Sequence, residues 1–378
     1  MTEQLNLEVF SPGDYVREEL EERGWTQADL AAILGRPEAL VNAVIAGRRS
    51  ITPETAHGLS AAFGTSPQLW LNLEAAFRLA QSQSTAGDDI SRRAEIYSRA
   101  PVKEMQRRGW IGESKSAGVL EKEILRFYGI NSLDERATLS YAARKSTEYS
   151  ENTNEQEAWL CRVHQLAAST PVQGRYTKKS LQKALVEVVQ LRAEAESIRH
   201  IPAVLARVGI RFLVVEHLRK TKIDGACLWL SKSSPVVALS MRYDRIDSFW
   251  FTLMHELAHV ENGDGVREPQ LDSCLVGDGA VGSGEKPPIE RKADQRAVSL
   301  LLNQRQLDDF IARVHPLYSH MKIIGFARRI GVHPGIVVGQ LQRRGKISYA
   351  HSRKMLVPVR SIITATALTD GWGHTPQI

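Results

Sequence analysis

The sequence predicts a multidomain fold: an all-α helix-turn-helix domain over residues 1–80, a linker over 81–94, a helical middle segment over 95–200, an α+β domain over 201–350 and a C-terminal tail over 351–378. Three observations carry that prediction. Glycine and proline cut the first eighty residues into short helices, and apolar residues recur at helical spacing through 95–200. After residue 203 the period changes to short apolar runs, which lead into the helix that carries His255-Glu256-Leu257-Ala258-His259.

With 43% hydrophobic and 24% charged residues, the 378-residue chain has the composition of a globular protein. No apolar run approaches the ~18 residues of a membrane span, and MTEQLNLEVF lacks a basic-then-apolar signal. The expected home is therefore the cytoplasm, with no membrane partner. Cys161, Cys227 and Cys274 have no paired spacing, so a metal here would use histidine and carboxylate. The net charge is +6, yet residues 1–80 alone hold 11 acidic against 6 basic residues, so overall charge does not nominate a nucleic-acid-binding part.

In the first domain Pro12-Gly13 opens a helix with Tyr15, Val16 and Leu20 as its apolar face, and Gly24 closes it. Thr26 is an N-cap before QADLAAIL, Gly35 breaks that run, and PEALVNAVIAG follows. Thr52-Pro53-Glu54 opens a fourth helix, and Ser66-Pro67 a fifth that carries Trp70. Two short helices joined by a tight glycine turn make a helix-turn-helix. Together with GRRSITPETA and GTSPQLWLNL, this segment resembles the Xre/Cro-type helix-turn-helix of the HigA antitoxin family. The resemblance implies a second helix in the major groove of double-stranded DNA, at a palindromic operator bound by a homodimer. It would set Arg36, Pro37, Glu38, Ala39 and Asn42 at base edges, with Arg48 and Arg49 against phosphates. Glu18, Glu19, Glu21 and Glu22 gather on the first helix, away from those arginines. Pro37-Glu38-Ala39 departs from the small hydroxyl residues that members often carry.

QSQSTAGDDISRR reads as a polar linker. VLEKEILRFYGI and SLQKALVEVVQLRAEAESI in the middle segment have helical periodicity and no catalytic constellation, and Trp110, Trp159 and His164 read as core or surface residues.

VLARVGIRFLVVEH, DGACLWLS and SPVVALSM read as a helix end and three strands ahead of RIDSFWFTLMHELAHVEN. Four residues turn a helix through about 400°, so His255 and His259 stand one turn apart and about 40° around the axis, where they can meet at one point. Two imidazoles in an apolar helix with no partner would each cost roughly 1 to 3 kcal/mol, which favours a ligand between them. PPIERKADQRAVSLLL starts a further helix at Pro287-Pro288, with Ala293, Ala297, Leu300 and Leu301 on one face and the acids Glu290 and Asp294 one turn apart. That helix offers a third ligand, and three protein ligands plus water suit a catalytic zinc.

FTLMHELAHV with IERKADQRAVSLLL, the strands before them and IGVHPGIVVGQLQRRGKI after them resemble the ImmA/IrrE metallopeptidases, a zincin-like α+β fold, over roughly 200–350. The resemblance makes His255, His259 and Glu290 the ligands of one Zn2+ per chain, with Mn2+ as a possible substitute. Glu256 is then the general base for the attacking water, and Asp294 the acceptor for a ligand histidine's distal N–H. Tyr243, Arg245, Tyr318, His320 and His333 flank the motifs, and none of them stands out as the group that stabilises an oxyanion. The segment between His259 and Glu290 reads as a mobile loop gating the cleft, and a substrate strand is expected beside 236–241. The implied function is a DNA-binding regulator with a zinc endopeptidase that cleaves a protein such as a repressor or antitoxin. The alternative is a non-enzymatic HigA-like antitoxin or repressor whose metal domain senses a ligand or binds a partner. Glu256 separates the two, because hydrolysis needs it and a purely structural site does not.

Overall fold

The structure, a computed structural model, describes residues 10–81, 86–135, 137, 144–145, 153–266, 269–276 and 286–374. It divides into two compact units, Met1–Arg93 and Ala94–Ile378. Among the described residues, no helix is long and apolar enough to cross a membrane.

The first unit holds α1 (Pro12–Arg23), α2 (Gln27–Leu34), α3 (Glu38–Ile45), α4 (Pro53–Phe63) and α5 (Pro67–Gln81). Ser11 with Asp14, and Thr26 with Asp29, form reciprocal capping boxes that satisfy the first free N–H groups of α1 and α2. Val16, Leu20, Leu30, Val41, Ile45, Leu59, Phe63 and Trp70 close the core. Gly13 is required there, since a Cβ at that position would lie 2.0 Å from the Ile45 carbonyl oxygen. Two expectations change. Tyr15 is exposed and lies off the buried face, which is built from Val16 and Leu20. The polar stretch assigned as a linker is helical from Ala86, in α6 (Ala86–Arg99), because its charges fall at i, i+4 spacing such as Asp89 and Arg93; residues 82–85 lie outside the described ones.

The second unit begins with α7 (Val102–Arg107), α8 (Ala117–Tyr128), β1 (Arg144–Lys145), α9 (Asn154–Ser169), α10 (Lys178–Gln190) and α11 (Ile201–Arg207). It continues through β2 (Arg211–Val215), β3 (Ile223–Ser231), β4 (Ser234–Leu239), α12 (Ile246–Asn262), β5 (Gln270–Ser273) and α13 (Pro288–Leu301). The chain ends with α14 (Gln304–Val314), α15 (His320–Ile330), α16 (Pro334–Arg343), α17 (Arg360–Thr364) and β6 (Leu368–Asp370). One mixed sheet runs in the order β1-β5-β3-β4-β2-β6. β2 lies parallel to β4 and β6, and β3 lies antiparallel to β4 and β5.

β2 is an apolar run with no alternation, so both of its faces need cover. Val214 joins the core that holds α12, and Leu213 and Val215 join the one that holds α9. That requirement joins the middle segment to the sheet, where the sequence reading had kept it separate. Trp159 Nε1 donates to the Val215 carbonyl at 3.2 Å, and Gln156 Nε2 to that of Thr221 at 3.1 Å. The tail is not free either, since β6 pairs with β2 and Asp370 accepts a hydrogen bond from Trp110 at 3.1 Å. Trp110 and Trp159 are core residues, as expected, and His164 is half-buried.

Two further corrections bear on the site. Residues 236–239 cannot receive a substrate strand, because β4 lies between β3 and β2. The segment read as a loop over the cleft contains β5, paired antiparallel with β3. Within that segment, residues 267–268 and 277–285 lie outside the described ones.

Candidate metal centre and helix-turn-helix surface

Helix α12 is apolar around most of its circumference, with Phe249, Trp250, Leu253, Met254, Leu257 and Val260 buried, and this drives it into the interior against the sheet. His255, Glu256 and His259 go with it and are fully buried. Small residues on α13, Ala293 and Ala297, face inward beside Glu290, which is also fully buried. His255 Nε2 stands 2.9 Å from His259 Nε2 and 3.1 Å from Glu290 Oε2, and His259 Nε2 is 3.4 Å from Glu290 Oε1.

Asp272 on β5 completes the cluster, a residue that sequence reasoning missed. Its Oδ2 lies 3.4 Å from His255 Nε2 and 3.7 Å from His259 Nε2, and the donor atoms of His255, His259, Asp272 and Glu290 all fall within 4.8 Å of one another. The outer ring nitrogens are held by further carboxylates. Asp264 Oδ2 is 3.0 Å from His259 Nδ1, and Asp294 Oδ1 is 3.0 Å from His255 Nδ1, although the latter pair is not aligned as a hydrogen bond. A carboxylate at each Nδ1 favours the proton there, which turns two Nε2 lone pairs and two carboxylates toward one point. Such a set repels itself unless a cation or protons fill it. Burial opposes protonation of these imidazoles, but the surrounding carboxylates outweigh it. Asp272, Asp294 and Glu290 hold His255 well above the ordinary value, and Asp264 and Glu290 raise His259 to about 10. A tetrahedral ion with ligands at ~2.0–2.1 Å needs donor atoms about 3.3 Å apart. The five separations above, 2.9 to 3.7 Å, bracket that value, so the residues fit a divalent ion.

Asp294 does more than face His255. Its Oδ2 accepts from Lys286 Nζ and from Arg343 Nη2, both at 2.9 Å. Burial pushes the Asp294 carboxyl up, but His255, Arg343 and Lys286 together lower it to about 2. Glu256 points the other way, toward β3, where a Cβ on Gly225 would lie 2.2 Å from its Oε1. Among the described residues no donor reaches either Glu256 oxygen, and burial, followed by the charge of Asp272 and a side-chain hydrogen bond shared with it, holds its carboxyl well above the usual range. The other residues flanking the motifs are engaged elsewhere. Arg245 pairs with Asp247, His333 caps α16, and Tyr318 packs near Phe310. Tyr243 stacks under Arg242, and His320 packs near His351.

In the first unit Arg36, Pro37, Glu38 and Ala39 are exposed at the start of α3, and Arg48 and Arg49 are exposed beyond its end. Arg36 is paired with Glu54 of α4. Asn42 is half-buried, and its amide oxygen is buried with no hydrogen-bond partner among the described residues, so it presents less to a groove than its position on the helix suggested.

Residues 16–70 match the family model described as a helix-turn-helix. An uncharacterized HTH-type transcriptional regulator, YddM of Escherichia coli K12, is 36% identical over 81 residues, which are 21% of this chain and 84% of that protein. Among solved structures, an addiction module antidote protein of the HigA family from Coxiella burnetii is 36% identical, covering 22% of this chain and 91% of its own, with a TM-score of 0.21. The Pseudomonas aeruginosa antitoxin HigA, solved with the higBA promoter, is 32% identical over 22% of this chain and 90% of its own, also with a TM-score of 0.21. Through its first domain, therefore, the chain belongs to the helix-turn-helix regulators.

Proposed function

We propose that the chain is a DNA-binding regulator of the HigA kind joined to a zinc-dependent peptide hydrolase of the ImmA/IrrE kind, whose substrate is a specific protein such as a repressor or antitoxin. The observation that carries the hydrolase half is Glu256: a fully buried carboxyl with no donor partner among the described residues, one residue from a candidate ligand. Keeping such a group costs a few kcal/mol, and a metal held only for structure has no use for it.

His255, His259 and Glu290 would hold one divalent ion, for which the two-nitrogen, one-oxygen set suits zinc and tolerates manganese. When bound, the ion supplies Lewis acidity toward a peptide carbonyl and toward water. Glu256 takes a proton from the attacking water on a carboxylate oxygen and delivers it to the leaving nitrogen as the C–N bond breaks. One water is consumed for each carboxyl and amine formed. Asp294 and Asp264 orient the two imidazoles through their Nδ1 atoms. For the first domain, the relative solved with promoter DNA and the exposed Arg36, Arg48 and Arg49 support duplex DNA as partner. Binding would be by a homodimer at palindromic half-sites about 34 Å apart.

The test is to incubate purified protein and its Glu256→Gln variant, with zinc or with manganese, against the proteins encoded by neighbouring genes. Cleavage by the parent alone, with equal metal in both proteins, is the expected result; equal cleavage by both ends the assignment of Glu256. One observation favours the second reading, a non-enzymatic repressor or antitoxin. Four protein donors, all fully buried, have the closed character of a structural or sensing site. In that case no substrate is cleaved and Glu256→Gln leaves repression unchanged.

A further inference from the structure

The closed site and the presence of Glu256 are reconciled by the strand that closes it. We infer that β5 is a built-in inhibitory strand: Asp272 takes the metal's fourth position while the backbone of 270–273 occupies the edge of β3 on which an extended substrate would pair. This rests on the hydrolase reading above and names how that site is regulated.

Four observations converge. The first is register: Gly225 of β3 lies opposite Asp272, Ala226 opposite Leu271 and Cys227 opposite Gln270, in antiparallel pairing. The second is the place where that pairing runs. Gly225 is the residue against which Glu256 Oε1 is pressed, so whatever pairs with β3 at this point passes directly beside the proposed base. A peptide that binds by strand addition needs a free edge, and β3, the strand against which Glu256 is pressed, is paired on its other side with the interior strand β4. β5 is short, and among the described residues its neighbour on the side away from β3 is the two-residue β1. Removing β5 exposes the β3 edge and also withdraws the buried Leu271, so a displacing strand must place an apolar side chain at that position. The third observation is the carboxylate itself: at 3.4 and 3.7 Å from the two histidine nitrogens, Asp272 Oδ2 would supply a fourth donor where hydrolysis needs a water or a substrate oxygen.

The fourth is the way the strand is latched. After β5 the chain turns through Cys274, which is held at a φ of +58, a strained conformation for a residue other than glycine. Two main-chain N–H groups hold it there, one bonded to a side chain and one to a carbonyl. Leu275 N donates to Asp224 Oδ2 at 2.7 Å, and Cys274 N donates to the Lys222 carbonyl at 3.2 Å. Asp224 is itself clamped by Arg242, and Arg343 reaches the Leu275 carbonyl at 3.4 Å with one nitrogen and Asp294 at 2.9 Å with the other. The latch thus touches the same Asp294 that faces His255. Displacing β5 removes the fourth ligand, frees the β3 edge and loosens one contact of Asp294 in a single event. The displacing partner is an extended segment of a protein that pairs with β3 better than 270–273 does. A short peptide, which loses proportionally more entropy on ordering, does not.

The test uses the full chain loaded with cobalt(II) in place of zinc, because the cobalt visible spectrum reports its ligands without any substrate. Acetohydroxamate serves as the probe of an open position. The parent is expected to keep its spectrum in the presence of acetohydroxamate, whereas Asp272→Ala and Asp272→Asn should bind one equivalent of cobalt at least about tenfold more weakly and change spectrum with the probe. Asp272→Ala should also begin to cleave casein, and the Asp272→Ala/Glu256→Gln double variant should not. If the parent responds to acetohydroxamate as readily as the variants do, the fourth position is already open and the proposal is wrong. Loss of all metal from both variants also overturns it, since Asp272 would then be an indispensable member of a closed structural site. An opened site that cleaves nothing refutes the hydrolase reading while leaving the ligand assignment in place. Should both variants fail to fold, amide exchange on the unmodified chain decides. Stripping the metal should speed exchange at 270–273 more than at 223–227, and equal rates with and without metal overturn the proposal.

Discussion

Asp294 separates an electrostatic role from an orienting one within a single side chain, and Asp294→Asn tests that separation. The substitution keeps size and a carbonyl-type oxygen at the position 3.0 Å from His255 Nδ1. It removes the negative charge that Lys286 Nζ and Arg343 Nη2 each meet at 2.9 Å. Lys286 is 4% exposed and has little water to turn to, so leaving its charge unpaired costs about 3 kcal/mol or more. Arg343 keeps its contact with the Leu275 carbonyl and its place over the Phe251 ring, and so loses less. For a unit of this size the sum lowers the melting temperature by roughly 6–10 °C. Metal affinity should fall about 10–100-fold, as it does when a partner that orients a ligand histidine is lost. The second arm is Asp294→Asn/Lys286→Met, measured by thermal melting of metal-free protein and by competition with a chromogenic chelator. Removing the stranded cation should recover most of the melting temperature and none of the metal affinity. If Asp294→Asn holds metal within twofold of the parent, or if affinity returns together with stability in the double variant, Asp294 does not orient His255 and the reasoning fails.

Gly225→Ala should destabilise the second unit by about 1–3 kcal/mol, because its new Cβ meets Glu256 Oε1. Much of that loss should return when Glu256→Ala is added, and a loss that persists unchanged would place the clash elsewhere. Arg48→Ala and Arg49→Ala, both on exposed side chains, should each weaken binding to all duplexes alike and reduce the salt slope by about 1, whereas Glu38→Gln should alter which selected sequences are preferred. A sequence-dependent loss from either arginine would move it from phosphate to base contact. Thiol titration should count one reactive cysteine in the native protein, Cys274, and three after denaturation. Burial raises the thiol pKa of Cys161 and of Cys227, and only Cys274 is partly exposed. Two or more fast thiols in the native state would contradict the core as described.

Local rules determined a good deal of this protein from its sequence. The capped helices α1, α2 and α4 follow from Ser11, Thr26 and Thr52 and from Gly24, Gly35 and Gly64, which accept a left-handed turn, all read within four residues. The convergence of His255 with His259 is a property of one helix, and the start of α13 at Pro288 brings Glu290 with it. What only the tertiary structure decided involves partners far apart in sequence. Asp272 sits on a four-residue strand, too short to show a period, and it becomes part of the site only because that strand pairs with β3 some forty-five residues earlier. β6 is shorter still, and it joins the sheet because β2 needs a neighbour on that side. The middle segment looked independent because its helices are amphipathic on their own terms; it is the apolar run of β2, buried on both faces, that requires α9 to cover it. Periodicity tells which face of an element is buried and not what buries it, so the converging histidines are legible in the sequence and the strand that covers them is not.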